Sequence, residues 1–128
     1  MTSPAPSTLS LSARLICVGF DGLAVPASLR ELLVLGVSGV VLFARNVGSP
    51  MQVAELNRSI KLAAPRPVLS CVDHEGGRVR RLRSGFSPVP SMRDLGRAAM
   101  LLTLEDGRGT QLARETGRLL GRELRAVG

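Results

Sequence analysis

Three short apolar runs punctuate the first half of the chain: LICVGF at residues 15–20, GVVLF at residues 39–43, and the segment from Pro67 to Val72. Each is continuously apolar rather than alternating, the pattern of a strand covered on both faces. The first runs into Asp21-Gly22, the second into Ala44-Arg45-Asn46 and the third into Asp73. Helical spacing lies between them. After Pro26, which suits a first turn, Leu29, Leu32 and Leu33 form one stripe, with Gly36 as its stop. Ser49-Pro50-Met51-Gln52 reads as N-cap, proline in the first turn, and a Gln that completes a capping box. Val53, Leu56, Ile60 and Ala63 carry that helix until Pro65 and Pro67 end it.

The second half is patterned differently. HEGGRVRRLRSGFSPVP, residues 74–90, reads as a long irregular loop. Ser91-Met92-Arg93-Asp94 opens a helix to about Leu102, and Thr103-Leu104-Glu105-Asp106 repeats the start signal. A last helix carries Ala113, Thr116, Leu120, Leu124 and Val127, with Gly117 and Gly121 near that stripe and expected to permit close packing. Strands alternating with helices predict an α/β fold of parallel βα units, with about three strands. Such a set is incomplete as a closed domain: a (β/α)8 barrel takes eight strands and about 250 residues. Residues 1–10, rich in Ser, Thr and Pro, read as a loose leader before a domain at 11–128 that stops short of a fourth strand.

Composition narrows the function classes. The 128 residues are 45% hydrophobic and 21% charged, a globular rather than disordered balance. No apolar run reaches the ~18–20 residues of a membrane-spanning helix, so no membrane partner is expected. The leader has no cationic stretch ahead of an apolar core, so it is not an export signal, and a cytoplasmic location with reduced thiols is expected. Cys17 and Cys71 fall in the first and third strands, roughly 10 Å apart in a sequentially ordered sheet and beyond disulfide reach; both are expected to be small buried apolar groups. The net charge is +7, sixteen of the seventeen basic residues are Arg, and twelve of the seventeen follow residue 64. That balance suggests nucleic acid, but three Phe and no Tyr or Trp supply no stacking platform, and no zinc-finger spacing is present, so no nucleic-acid partner is expected.

Chemistry in parallel α/β folds gathers at the C-terminal ends of strands. Asp21, the Arg45-Asn46 pair and Asp73 occupy those places here. Asp21 and Arg45 read as strand-end residues that fix loop geometry. The densest cluster is Asp73-His74-Glu75-Gly76-Gly77-Arg78-Val79-Arg80-Arg81. Its paired glycines allow a sharp turn that returns arginines toward Asp73. A carboxylate beside a guanidinium accepts from and donates to a polyhydroxyl ligand; the alternative is a loop salt bridge from Asp73 or Glu75 to one of the arginines. There is no phosphate-cradle motif, and one His with two scattered Cys makes no metal-ligand cluster. Neither a metal nor a cofactor is expected.

VDHEGGRVRRLRSGF at residues 72–86 resembles the signature of family 3 glycoside hydrolases, and within that family the bacterial β-N-acetylhexosaminidases of peptidoglycan recycling. The likeness runs through Asp73, Glu75, Gly76, Gly77, Arg78, Val79, Arg81, Phe86 and Pro90, and through a second element, Leu42, Phe43, Arg45 and Asn46. GRLLGRELRAVG is similar to the family helix ahead of its fourth strand. The resemblance implies the N-terminal portion of a TIM-like barrel and a retaining hydrolase that removes terminal N-acetylglucosamine from a muropeptide-like saccharide. It implies substrate-binding roles for Asp73 and Arg81 and none for His74, a position where a structural partner is expected. The nucleophile and acid/base group that a retaining mechanism needs belong, in the family, to later motifs that residues 1–128 do not contain. No catalytic residue is therefore assigned, and the chain alone is expected to be inactive. Two other classes remain: a stand-alone basic binding module, or a degenerate remnant, whose Arg-rich loop holds an anionic ligand.

Overall fold

The computed structural model describes residues 7–128, apart from the side chain of Asp106. Three strands, β1 (Cys17–Val18), β2 (Gly39–Leu42) and β3 (Leu69–Val72), form a parallel sheet in the order β1-β2-β3. Its register sets Cys17 beside Gly39, Gly39 beside Leu69 and Leu42 beside Val72. The crossovers are helices α2 (Ala27–Leu35) and α3 (Pro50–Ala63). Successive side chains of a strand point to opposite faces. Val40 and Leu42 therefore share one face and are buried against Leu29, Leu33, Val53, Leu56 and Ile60 of the two helices. Leu69 and Cys17 share the other face and are exposed.

The capping residues behave as their chemistry dictates. Ser49 Oγ accepts from Gln52 N at 3.2 Å, with Pro50 in the first turn of α3. Gln52 Oε1 accepts from Gly48 N at 2.8 Å, one residue before the cap. Gly36 closes α2. A short helix, α1 (Thr8–Ala13), is capped by Ser7 and buries Ala13, so residues 8–10 of the expected leader are helical. Residues 1–6 of that leader lie outside the described residues.

Several expectations need correcting. The loop after β3 contains an antiparallel hairpin, β4 (His74–Gly76) with β5 (Val79–Arg80), because the adjacent glycines supply the tight turn that brings the two short arms together. The repeated start signal at Thr103 opens no helix. Helix α4 (Met92–Asp106) runs through it and stops at Gly107 before α5 (Gly109–Ala126). Thr103 Oγ1 instead donates to Ala99 O at 2.8 Å, the back-bonding a hydroxyl adopts inside a helix. Gly117 has nothing within 4 Å of an added Cβ and Gly121 meets only Arg125, so neither is a close-packing point. Gly109 is that point, pressed against Ala99 O and Thr103 where α5 leaves α4.

The thiols also differ from expectation. Both are free, but Cys17 is exposed and Cys71 half-buried. Their sheet face carries no helix among the described residues, which is why neither is deeply buried. A Cβ on Gly39 would stand 2.6 Å from Cys17 Sγ, so the missing side chain leaves room for the two thiols to interact across β2. Burial first, and then Cys17, pushes the Cys71 thiol up from its ordinary value.

Candidate functional site

The C-terminal ends of the strands converge on one rim. After β1 come Phe20 and Asp21, after β2 a single 3-10 turn at Ala44–Asn46, and after β3 Asp73. Asn46 is fully buried there, unusual for an amide, and all of its bonds go to backbone. Its Oδ1 accepts from Phe43 N at 2.9 Å, and its Nδ2 donates to Phe20 O at 3.1 Å and Gly22 O at 2.8 Å. Asn46 thus staples the loop after β1 to the end of β2. Arg45 reinforces it. Its Nε donates to Phe20 O at 2.9 Å and lies 2.6 Å from Asp21 Oδ1, and its guanidinium carbon lies 4.8 Å from the centre of the Phe43 ring. Arg45 therefore ties the loop after β1 to the end of β2, while the Asp21 side chain meets it from an exposed position, at 92% exposure.

Asp73 is the single residue between β3 and β4, and Arg81 directly follows β5. Because His74 pairs with Arg80, the hairpin register carries Asp73 and Arg81 together at its base. Arg81 Nη2 donates to Asp73 Oδ2 at 2.9 Å, with side chains 30% and 39% exposed. The return depends on the turn. Gly76 and Gly77 have φ of 83° and 56°, and a Cβ on Gly76 would collide with Pro90 O. Glu75 forms a bulge between the paired positions and is exposed. Beyond Arg81, Leu82 anchors the chain in the core at 2% exposure, and Glu123 of α5 accepts from Ser87 N at 2.9 Å.

His74 closes this arrangement. Leu82 N donates to His74 Nδ1 at 3.3 Å, so Nδ1 must be unprotonated and the neutral ring carries its proton on Nε2. Burial, then the Arg80 charge, hold the imidazole below its ordinary value of 6.5, against the opposing pull of Glu123 and Asp73. His74 fixes the step from Arg80 to Leu82 and hence where Arg81 emerges. The Nε–H of Arg81 is buried with no partner among the described residues. A guanidinium has five donors; one is committed to Asp73 and others remain for a ligand. The pair can therefore accept from one hydroxyl and donate to another. Among the described residues, no three His, Cys, Asp or Glu side chains gather as a metal-ligand set.

The profile of the glycosyl hydrolase family 3 N-terminal domain matches residues 15–128. The chain belongs to glycosyl hydrolase family 3. It is 41% identical over 115 residues to a beta-hexosaminidase of Stenotrophomonas maltophilia and 44% identical over 115 residues to one of Xanthomonas oryzae pv. oryzae. Each alignment covers 89% of this chain and 33% or 34% of the relative, so the chain spans about a third of the length of these proteins. A family 3 beta-N-acetylglucosaminidase from Paenibacillus superposes with a TM-score of 0.83 at 34% identity, covering 96% of this chain and 23% of that one. NagZ from Neisseria gonorrhoeae, solved in complex with N-trifluoroacetyl-D-glucosamine, gives 0.78 at 30% identity, covering 88% and 33%. The three parallel strands and their helices are the N-terminal part of the family 3 domain, and among the described residues they do not close into a barrel.

The sequence located Asp73 and Arg81, and the structure brings them together. The staple at Asn46 and the tie from Glu123 to Ser87 are contacts that the sequence pattern does not announce. The first has a signal in hindsight, an amide directly after an apolar strand, whereas the second links positions 36 residues apart with no local pattern.

Proposed function

We propose that this domain supplies part of the sugar-binding pocket of a β-N-acetylhexosaminidase that hydrolyses terminal N-acetylglucosamine, with Asp73 and Arg81 as its substrate-binding residues. One observation carries the reading: in a family 3 domain, a hairpin folds Arg81 back to 2.9 Å from Asp73 at a strand's C-terminal end. Asp73 accepts from sugar hydroxyls while Arg81 orients it and donates. The names of the relatives support the sugar. A muropeptide-like saccharide and peptidoglycan recycling are the finer parts of the proposal, supported by the sequence resemblance; a cytoplasmic location joins them on the composition of residues 1–14 alone.

The test uses a chimera in which residues 15–128 replace the matching third of the Stenotrophomonas beta-hexosaminidase. The chimera should release 4-nitrophenol from its N-acetyl-β-glucosaminide, whereas the 128-residue chain alone should show no turnover. Asp73→Ala in the chimera should lower kcat/KM about 10- to 150-fold, the equivalent of one charge-assisted hydrogen bond at ~1.5–3 kcal/mol. A folded chimera that is inert, or an Asp73→Ala variant with unchanged kcat/KM, overturns the assignment.

A further inference from the structure

The arginine-rich loop contributes more side chains than the sugar pair uses. At the tip of the hairpin, away from its Asp73–Arg81 base, lies a cavity of about 1090 Å³ between the glycine turn and the start of α4. The two walls are fastened together. Gly77 N donates to Val89 O at 2.9 Å, and a Cβ on Gly77 would stand 2.9 Å from Ser91 Cβ. That contact sets Arg78 of the turn beside the first two turns of α4.

Four arginines line this cavity: Arg78, Arg83, Arg93 and Arg97. They come from three separate segments. Arg93 and Arg97 are one helical turn apart on one face, where like charges repel rather than stabilise. Other exposed arginines fall into two groups: Arg45, Arg58 and Arg118 take carboxylates, whereas Arg30, Arg114 and Arg122 have no ion pair among the described residues. Among the described residues no ion pair joins any of these four to a carboxylate; Arg83 Nε donates to Arg80 O at 3.0 Å. Two carboxylates share the lining. Asp94 is committed to Ser91, whose Oγ donates to its Oδ2 at 2.6 Å, and Glu75 projects from the bulge. Four positive charges against two negative leave the cavity cationic, with the forked donors that planar oxyanions match.

We infer that this cavity is a binding site for a small multivalent anion bearing phosphate or carboxylate groups. Convergence from three segments permits several charges of one molecule to be met at once. The site is distinct from the sugar pair and does not depend on the glycosidase reading.

The probes are pyrophosphate and citrate, titrated separately into the full 128-residue chain at constant ionic strength, with arginine Nε–H resonances and calorimetry as readouts. N-acetylglucosamine serves as the neutral control. Saturable binding of one pyrophosphate or citrate per chain is expected, weakened at least about tenfold by R93Q/R97Q and unchanged by R122Q on α5. Arg78→Gln, which alters no helix, should weaken it as well and stands in if the double variant does not fold. No saturation by about 20 mM of either probe, equal loss in R122Q, or many anions per chain would overturn the site. Tight binding of a single-stranded oligonucleotide without saturable pyrophosphate or citrate binding would also overturn it, in favour of a nucleic-acid surface.

Discussion

Residues 15–72 and residues 73–128 are built on opposite economies. The first region holds most of the core: Val40 and Ile60 are completely enclosed, and its fully buried amide, Asn46, is bonded on every side. The second is a thin layer. Helices α4 and α5 pack chiefly on each other, leaving Leu101 and Leu104 at 61% and 75% exposure, while the intervening loop reaches the core through Leu82 and Phe86. It also carries most of the arginines. The comparison teaches a division of labour: stability is concentrated in the βα region, and ligand chemistry is placed on a segment hung from it by a few anchors.

The largest expected effect that would break this picture is at Asn46. Asn46→Ala leaves the part-buried Phe43 N–H and Gly22 C=O without their partners and opens a gap where a fully buried amide stood, and should destabilise the chain by about 3 kcal/mol in urea unfolding. A loss under about 1 kcal/mol would mean that the staple is dispensable and the two regions are not so different.

A smaller effect concerns pH. The folded His74 has a lowered pKa, so it resists protonation more than the unfolded chain does. Its contribution is complete above the ordinary value of 6.5 and is lost as pH falls from there toward its folded value, because the unfolded state takes up the proton first. Protonation also removes the acceptor for Leu82 N–H. His74→Gln should flatten the stability profile below pH 6.5 in thermal melts across that window; an unchanged slope would assign it to carboxylates instead.

The smallest effect sharpens the contrast from the other side. Leu104→Ala, on the exposed face of α4, should shift stability by under about 0.5 kcal/mol despite removing a large apolar side chain. A loss of ~2–3 kcal/mol, typical of a core leucine, would show that α4 is covered in solution.

Much of the first region was legible because its signals are local. Ser49, Pro50 and Gln52 define a helix start within four residues, and apolar runs flanked by Gly and Pro define strands. The strand boundaries came out shorter than the runs. LICVGF yields the two-residue β1, because among the described residues β1 pairs on one side and its ends leave the ladder. In the second region, Gly76-Gly77 marked the turn and hence the return of Arg81. The hairpin itself was missed, since β4 and β5 are too short for alternation to show. Thr103-Leu104-Glu105-Asp106 misled because a hydroxyl followed by a carboxylate signals a cap only where the preceding backbone leaves the helix, which it does not do here. The arginine cavity was legible only as a charge excess, since its four arginines come from three segments that reach 19 positions along the chain, Arg78 to Arg97.

One feature of the sheet governs how molecules of this chain treat each other. Among the described residues strands β1 and β3 each pair only with β2, and Leu69 stands 65% exposed on the face away from the helices. Such edges and faces are sticky at contact range, whereas a net charge of +7 repels at longer range. Salt shortens the second reach, to about 10 Å at 0.1 M and 3 Å at 1 M, and leaves the first intact. The colloidal behaviour should therefore run opposite to that of an ion-paired assembly: dispersed at low ionic strength, self-associating as salt is added, with light scattering as the gauge.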